Sequence, residues 1–75
     1  MKPRFVAMLI YPGVMAMDVY GPLEAFAAAN SVAGAPLYRL AIVSMTGKPV
    51  ETSLGVPIMP SIAASAIKEK VDTLL

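Results

Sequence analysis

Apolar residues in this chain come in short continuous runs, punctuated by glycine and proline. Arg4 to Ile10 is the first, Phe-Val-Ala-Met-Leu-Ile after the arginine, bounded by Pro3 and by Tyr11-Pro12-Gly13. Unbroken apolarity over that length predicts a strand buried on both faces, as in a parallel sheet. Val14 to Asn30 is alanine-rich and helical in composition, but Gly21-Pro22 falls inside it. Proline has no N–H for the carbonyl four residues back, which is that of Asp18. The pattern therefore predicts a short turn around Met15 to Tyr20, then a helix from Pro22. Gly21 serves as its N-cap, Pro22 is its first residue and Glu24 its third, with stop signals at Asn30 and Gly34.

Leu37 to Ser44 is a second run rich in β-formers, closed by Thr46-Gly47. Two strands joined by a helix are parallel, with a right-handed crossover. Val50 to Ser53 and Val56 to Met59 flank Leu54-Gly55 and predict a β-hairpin appended to the sheet. Ser61 to Lys70 reads as a weak helix, capped by Ser61 and with lysines in its last turn. Val71 to Leu75 begin a further apolar run without a boundary signal. The expected fold class is α/β with a parallel sheet, of which residues 1–75 hold the first β-α-β and a hairpin.

Composition sharpens this picture. The chain is 57% hydrophobic and 15% charged, where ordinary domains carry about 45–50% and about 25%. A domain of this size has proportionally more surface and is expected to be more polar than average, not less. Either the chain enters a membrane or its apolar faces are covered by further sequence. No stretch reaches the roughly 20 apolar residues of a spanning helix. The best one, Phe5 to Met17, is broken at Pro12-Gly13 and ends at Asp18, with no convincing signal-cleavage site. The second explanation is the expectation: the amino-terminal part of a larger domain, truncated at its carboxyl end. A complete miniature protein is the alternative, in which Val71 to Leu75 prolong the last helix.

Cysteine and histidine are both absent, which removes a thiolate nucleophile, a disulfide framework and the commonest general base and zinc ligand. Six basic and five acidic residues leave a net charge of +1. They are scattered along the sequence, without the basic stripe that nucleic-acid binding needs, so this segment by itself is expected not to bind nucleic acid. Neither Gly-x-Gly-x-x-Gly nor a Walker pattern is present. Arg39 reads as an edge or solvent-facing charge, and Lys68, Glu69 and Lys70 as solvated. The six methionines read as core filler.

Ligands of open α/β sheets bind beyond the carboxyl ends of the strands, which directs attention to Tyr11-Pro12-Gly13 and Asp18. At helical spacing Asp18 shares a stripe with Val14, Gly21 or Pro22, Ala25 and Ala29, opposite Tyr20, Glu24 and Ser31. That stripe predicts Asp18 turned toward the sheet, where a carboxylate loses solvation and must find a donor. It is then either an acid in the crevice or a cap bonded to the loop backbone. Tyr11 lines a pocket or packs within its loop.

These residues resemble a known family. Phe5-Val6 through Ile10, Tyr11-Pro12-Gly13, Asp18-Val19-Tyr20-Gly21-Pro22-Leu23-Glu24-Ala25-Phe26 and Ala29-Asn30 look like the start of the DJ/PfpI superfamily, of class I glutamine amidotransferase-like fold. Pro36-Leu37-Tyr38, Val43-Ser44, Gly47-Lys48-Pro49-Val50 and Thr52-Ser53-Leu54-Gly55 resemble its GlxA-like branch, the amino-terminal domain of AraC-type transcriptional regulators. The resemblance implies a flavodoxin-like parallel sheet with helices on both faces, in which Val71 to Leu75 enter a strand leading to a glycine-rich turn, with a nucleophile elbow beyond it. Asp18 falls where the family carries the helix-borne acid that hydrogen-bonds the elbow cysteine, and that cysteine is not in this chain. The implied function is ligand sensing and dimerisation in a cytoplasmic regulator. Its ligand pocket would include Tyr11, Gly13 and Asp18; it needs no metal or cofactor and contacts no membrane. Its partners would be a second copy, an unknown small molecule, and DNA only through a helix-turn-helix module outside these residues. The alternative is a stand-alone enzyme, isonitrile hydratase-like or a cysteine-dependent hydrolase.

Overall fold

The computed structural model describes residues 2–75. Its elements run β1 (Arg4–Leu9), α1 (Ala16–Ala33), β2 (Tyr38–Ser44), β3 (Val50–Glu51), β4 (Pro57–Ile58), β5 (Ile62–Ala63), a 3₁₀ turn (Ala64–Ala66) and β6 (Thr73–Leu74). A four-stranded sheet in the order β5-β2-β1-β6 is parallel at all three pairings. Val6 pairs with Leu40 on one side and Thr73 on the other. β1 is thus a central strand, as its unbroken apolar run requires. Its side chains alternate between two cores. Met8 joins Ile10, Val14, Val19, Leu23 and Ile58 on the helix side, while Phe5 and Ala7 join Ala41 and Val43 on the other.

The α/β class and the parallel sheet are as the sequence predicts, including a strand within Val71 to Leu75. Three local expectations are corrected. First, α1 is one continuous helix through Pro22, starting from Met15 rather than Gly21. An internal proline costs about 3 kcal/mol. Val19 and Leu23 are buried one turn apart on the sheet, and each contributes about 1.5–3 kcal/mol, so packing outweighs the lost bond. Gly34 ends the helix in the left-handed conformation, as expected.

Second, Ser61 to Lys70 is not a helix. Ile62 and Ala63 pair with Val43 and Ser44 as an edge strand. The Ser61 hydroxyl accepts a bond from the Ile42 N–H at 3.1 Å instead of capping. A ten-residue helix is marginal alone, and the open edge of β2 offers its backbone better partners. Third, the β3–β4 hairpin forms, but as a separate antiparallel sheet. Val50 and Ile58 pack on the helix-side core.

Within these residues α1 covers one face of the sheet, and on the other face Ile62, Ala64, Ile67 and Val71, from a 3₁₀ turn and extended chain, pack against Phe5, Ala7, Ala41 and Val43. The methionines also depart from expectation. Met8 is buried, whereas Met15, Met17, Met45 and Met59 are exposed.

Candidate functional site at the carboxyl ends of the strands

β1 ends in a tight turn. Val14 N–H donates to the Tyr11 carbonyl at 3.0 Å, and Gly13 holds a left-handed φ of 85° between them. That backbone conformation suits glycine, which has no Cβ to clash. The hairpin fixes this turn from outside: Gly13 N–H donates to the Glu51 carbonyl at 2.9 Å, and Ser53 N–H to that of Val14 at 3.0 Å. Loop and hairpin form one hydrogen-bonded unit above the sheet.

The turn after β2 forms the facing wall. Ser44 is buried, and its hydroxyl accepts from Gly47 N–H at 2.9 Å while donating to the Lys48 carbonyl at 3.1 Å. Gly47 has φ of 81°, and a Cβ there would lie 3.0 Å from the Ala63 side chain. Both facts favour glycine at this position. Between the two turns is an open crevice of about 440 Å³. Tyr11, Ser44, Met45, Thr46, Lys48 and Glu51 supply its polar and large apolar lining.

The three residues singled out from sequence meet different fates. Tyr11 lines the crevice and is exposed. Gly13 shapes the turn beside it without lining it. Asp18 is exposed on the first turn of α1 and lines no part of the crevice. Its backbone N–H donates to the Met15 carbonyl at 3.0 Å, and its side chain caps nothing. The expectation that Asp18 faces the sheet is therefore corrected, and so is its capping alternative. The inward stripe is Val19, Leu23, Phe26 and Asn30, one residue out of phase with the one read from sequence. An alanine-rich helix offers little contrast between its faces, and the bulkier stripe won the sheet. A solvated carboxylate on a first turn is well placed by the helix dipole and free to accept a donor from outside this segment.

Sequence reading missed Ser44, Thr46, Lys48 and Glu51 as crevice residues. Ser44 followed three residues later by glycine carries the signal of a side-chain-closed turn, which the strand pattern of Leu37 to Ser44 masks. Among the described residues no group of acidic side chains is arranged to hold a metal ion. No helix there is long and apolar enough to cross a membrane.

No protein-family model matches the chain. A curated relative, an uncharacterized protein in the cpoL 5′ region of Streptomyces lividans, is 38% identical over 73 residues, covering 97% of this chain and 50% of that protein. The chain thus spans about half the length of the curated relative it matches. Among solved structures, a ThiJ/PfpI family protein from Pseudomonas syringae is 26% identical with a TM-score of 0.72, over 99% of this chain and 28% of that one. An AraC family transcriptional regulator from Pseudomonas putida has a TM-score of 0.79 at 22% identity, over 96% of this chain and 44% of that one. Taken with the β5-β2-β1-β6 parallel sheet, these likenesses show that the chain carries part of the same α/β fold as the ThiJ/PfpI family protein and the AraC family regulator.

Proposed function

We propose that this chain is part of the ligand-sensing and dimerising domain of a GlxA-like, AraC-type transcriptional regulator. The observation that supports it is the likeness of nearly the whole chain to the Pseudomonas putida regulator. In this reading the crevice beside Tyr11 and the Gly13 turn receive a small molecule. Asp18 accepts a hydrogen bond from a group contributed by the rest of the domain or by the ligand. A carboxylate with no intramolecular partner suits that task, because no existing bond has to break. DNA sequence is then read by a helix-turn-helix module elsewhere in a cytoplasmic, homodimeric protein.

The likeness to the ThiJ/PfpI family protein supports a second reading, part of a stand-alone enzyme in which Asp18 faces an elbow cysteine. Reading the gene past the Leu75 codon separates the two. Two helix-turn-helix units establish the regulator; an elbow cysteine and an early stop establish the enzyme. A stop directly after Leu75 defeats both. For a regulator, Asp18→Asn in the full reading frame is expected to abolish ligand-dependent thermal stabilisation while leaving the unliganded melting temperature in place.

A further inference from the structure

Cations that lie far apart in sequence, at positions 2, 4, 39, 68 and 70, come together at the amino-terminal end of the parallel sheet. Lys2, Arg4 and Lys70 line one hollow there. Arg39 and Lys68 line a second, which shares Phe5 and Glu69 with the first. Five of the six basic residues thus occupy one continuous surface. The remaining one, Lys48, lies at the opposite end, in the crevice.

Two carboxylates share the basic surface, and both are engaged. Glu69 pairs with Arg39, and Asp72 accepts the Phe5 N–H at 2.7 Å. Lys2, Arg4, Lys68 and Lys70 are exposed and have no carboxylate partner among the described residues. The other three acids, Asp18, Glu24 and Glu51, line neither hollow. A net charge of only +1 therefore conceals a dipolar molecule with its positive pole at the amino ends of the strands.

We propose that this pole docks on the phosphate backbone of duplex DNA. Four unpaired, solvated cations on one surface suit a regular array of phosphates. Single-stranded nucleic acid is bound on exposed aromatic platforms, and none is offered here. Phe5 is buried beneath the Arg39 guanidinium, 4.0 Å from its ring centroid. Tyr38 packs edge-on against Phe26 at 4.8 Å. Surface binding to anionic membranes uses an amphipathic helix with an apolar face, whereas this surface is built from strand ends and loop. The contact is independent of sequence and of any helix-turn-helix module.

Fluorescence anisotropy of a labelled 20-base-pair duplex, titrated with the product of the full reading frame at several salt concentrations, tests it. Replacing Lys2, Arg4, Lys68 and Lys70 together by Gln is expected to make the slope of log affinity against log salt shallower by about 2 to 4, the range for two to four neutralised phosphates. Lys68→Glu with Lys70→Glu is expected to weaken binding at least about tenfold. The milder Lys68→Gln, Lys70→Gln pair, which leaves the Arg39–Glu69 contact unopposed by new charge, gives a smaller loss in the same direction. Lys48→Glu changes affinity less than about twofold. Salt-independent binding, no binding at low salt, an equal loss in Lys48→Glu, or preference for single strands or phosphatidylserine vesicles over the duplex overturns the proposal.

Discussion

Asn30 binds both backbone groups of Tyr38 through its side chain: Nδ2 donates to the Tyr38 carbonyl and Oδ1 accepts the Tyr38 N–H, each at 2.9 Å. An amide side chain here does what a neighbouring strand would do, joining the last turn of α1 to the first residue of β2. The sequence marked Asn30 as a stop signal, and the structure gives it a second task across the intervening loop. Asn30→Ala removes two part-buried bonds at about 1 kcal/mol each. A loss of about 2 kcal/mol, read from the urea midpoint at unchanged m-value, is the expected result. Asn30→Asp, which keeps the acceptor but sets an oxygen against the Tyr38 carbonyl, is expected to recover little of it.

Glycines 47 and 21 respond oppositely to alanine. At Gly47 the left-handed backbone and the 3.0 Å approach of Ala63 oppose a Cβ together, and Gly47→Ala is expected to cost at least about 2 kcal/mol. Gly21 lies in the helix interior with open space around its Cβ position. Gly21→Ala is expected to gain about 0.5–1 kcal/mol. Thermal melts of the two variants shift in opposite directions if both assignments hold.

Ser44→Ala tests how the crevice wall is held. The hydroxyl serves both Gly47 N–H and the Lys48 carbonyl, so its removal is expected to cost about 1–3 kcal/mol. Hydrogen exchange of the Gly47 amide is expected to accelerate more than that of Ile10, whose N–H bonds the Val43 carbonyl at 2.8 Å.

Two acids near the end of the chain differ in weight. Asp72 ties β6 to β1 twice, its carboxylate taking the Phe5 N–H and its own N–H donating to the Phe5 carbonyl at 2.9 Å. Glu69 pairs with Arg39, and both side chains are nearly half exposed. Exposed pairs contribute about 0–1 kcal/mol and are screened by salt. Asp72→Ala is therefore expected to destabilise more than Glu69→Gln, and only the Glu69 effect should fade at 1 M NaCl.

Asp18→Asn is expected to leave stability nearly unchanged. The residue is exposed and its side chain caps nothing, so only its interaction with the helix dipole is lost, about 0.3–1 kcal/mol. A larger fall in the urea midpoint would show Asp18 to be a structural residue and weaken its assignment to the site.

What the sequence determined by itself is the set of strong local signals. Arg4 to Ile10 is apolar without interruption, and a strand of that kind satisfies itself only between two others. Gly34 and the Leu54-Gly55 turn are equally local, and they appear where expected. The tertiary structure decided everything that depended on competition between weak preferences. Helix against turn at Pro22, helix against edge strand at Ile62-Ala63, and the rotation of α1 about its axis each turned on which surface the sheet could bury or pair. Asp18 illustrates the consequence: spacing places it on a helix, while only packing against β1 and β2 decides which way that helix faces. The same holds for charge. Folding, not order along the chain, brings Lys2 and Arg4 beside Lys70, because parallel strands return the chain repeatedly to the same end of the sheet.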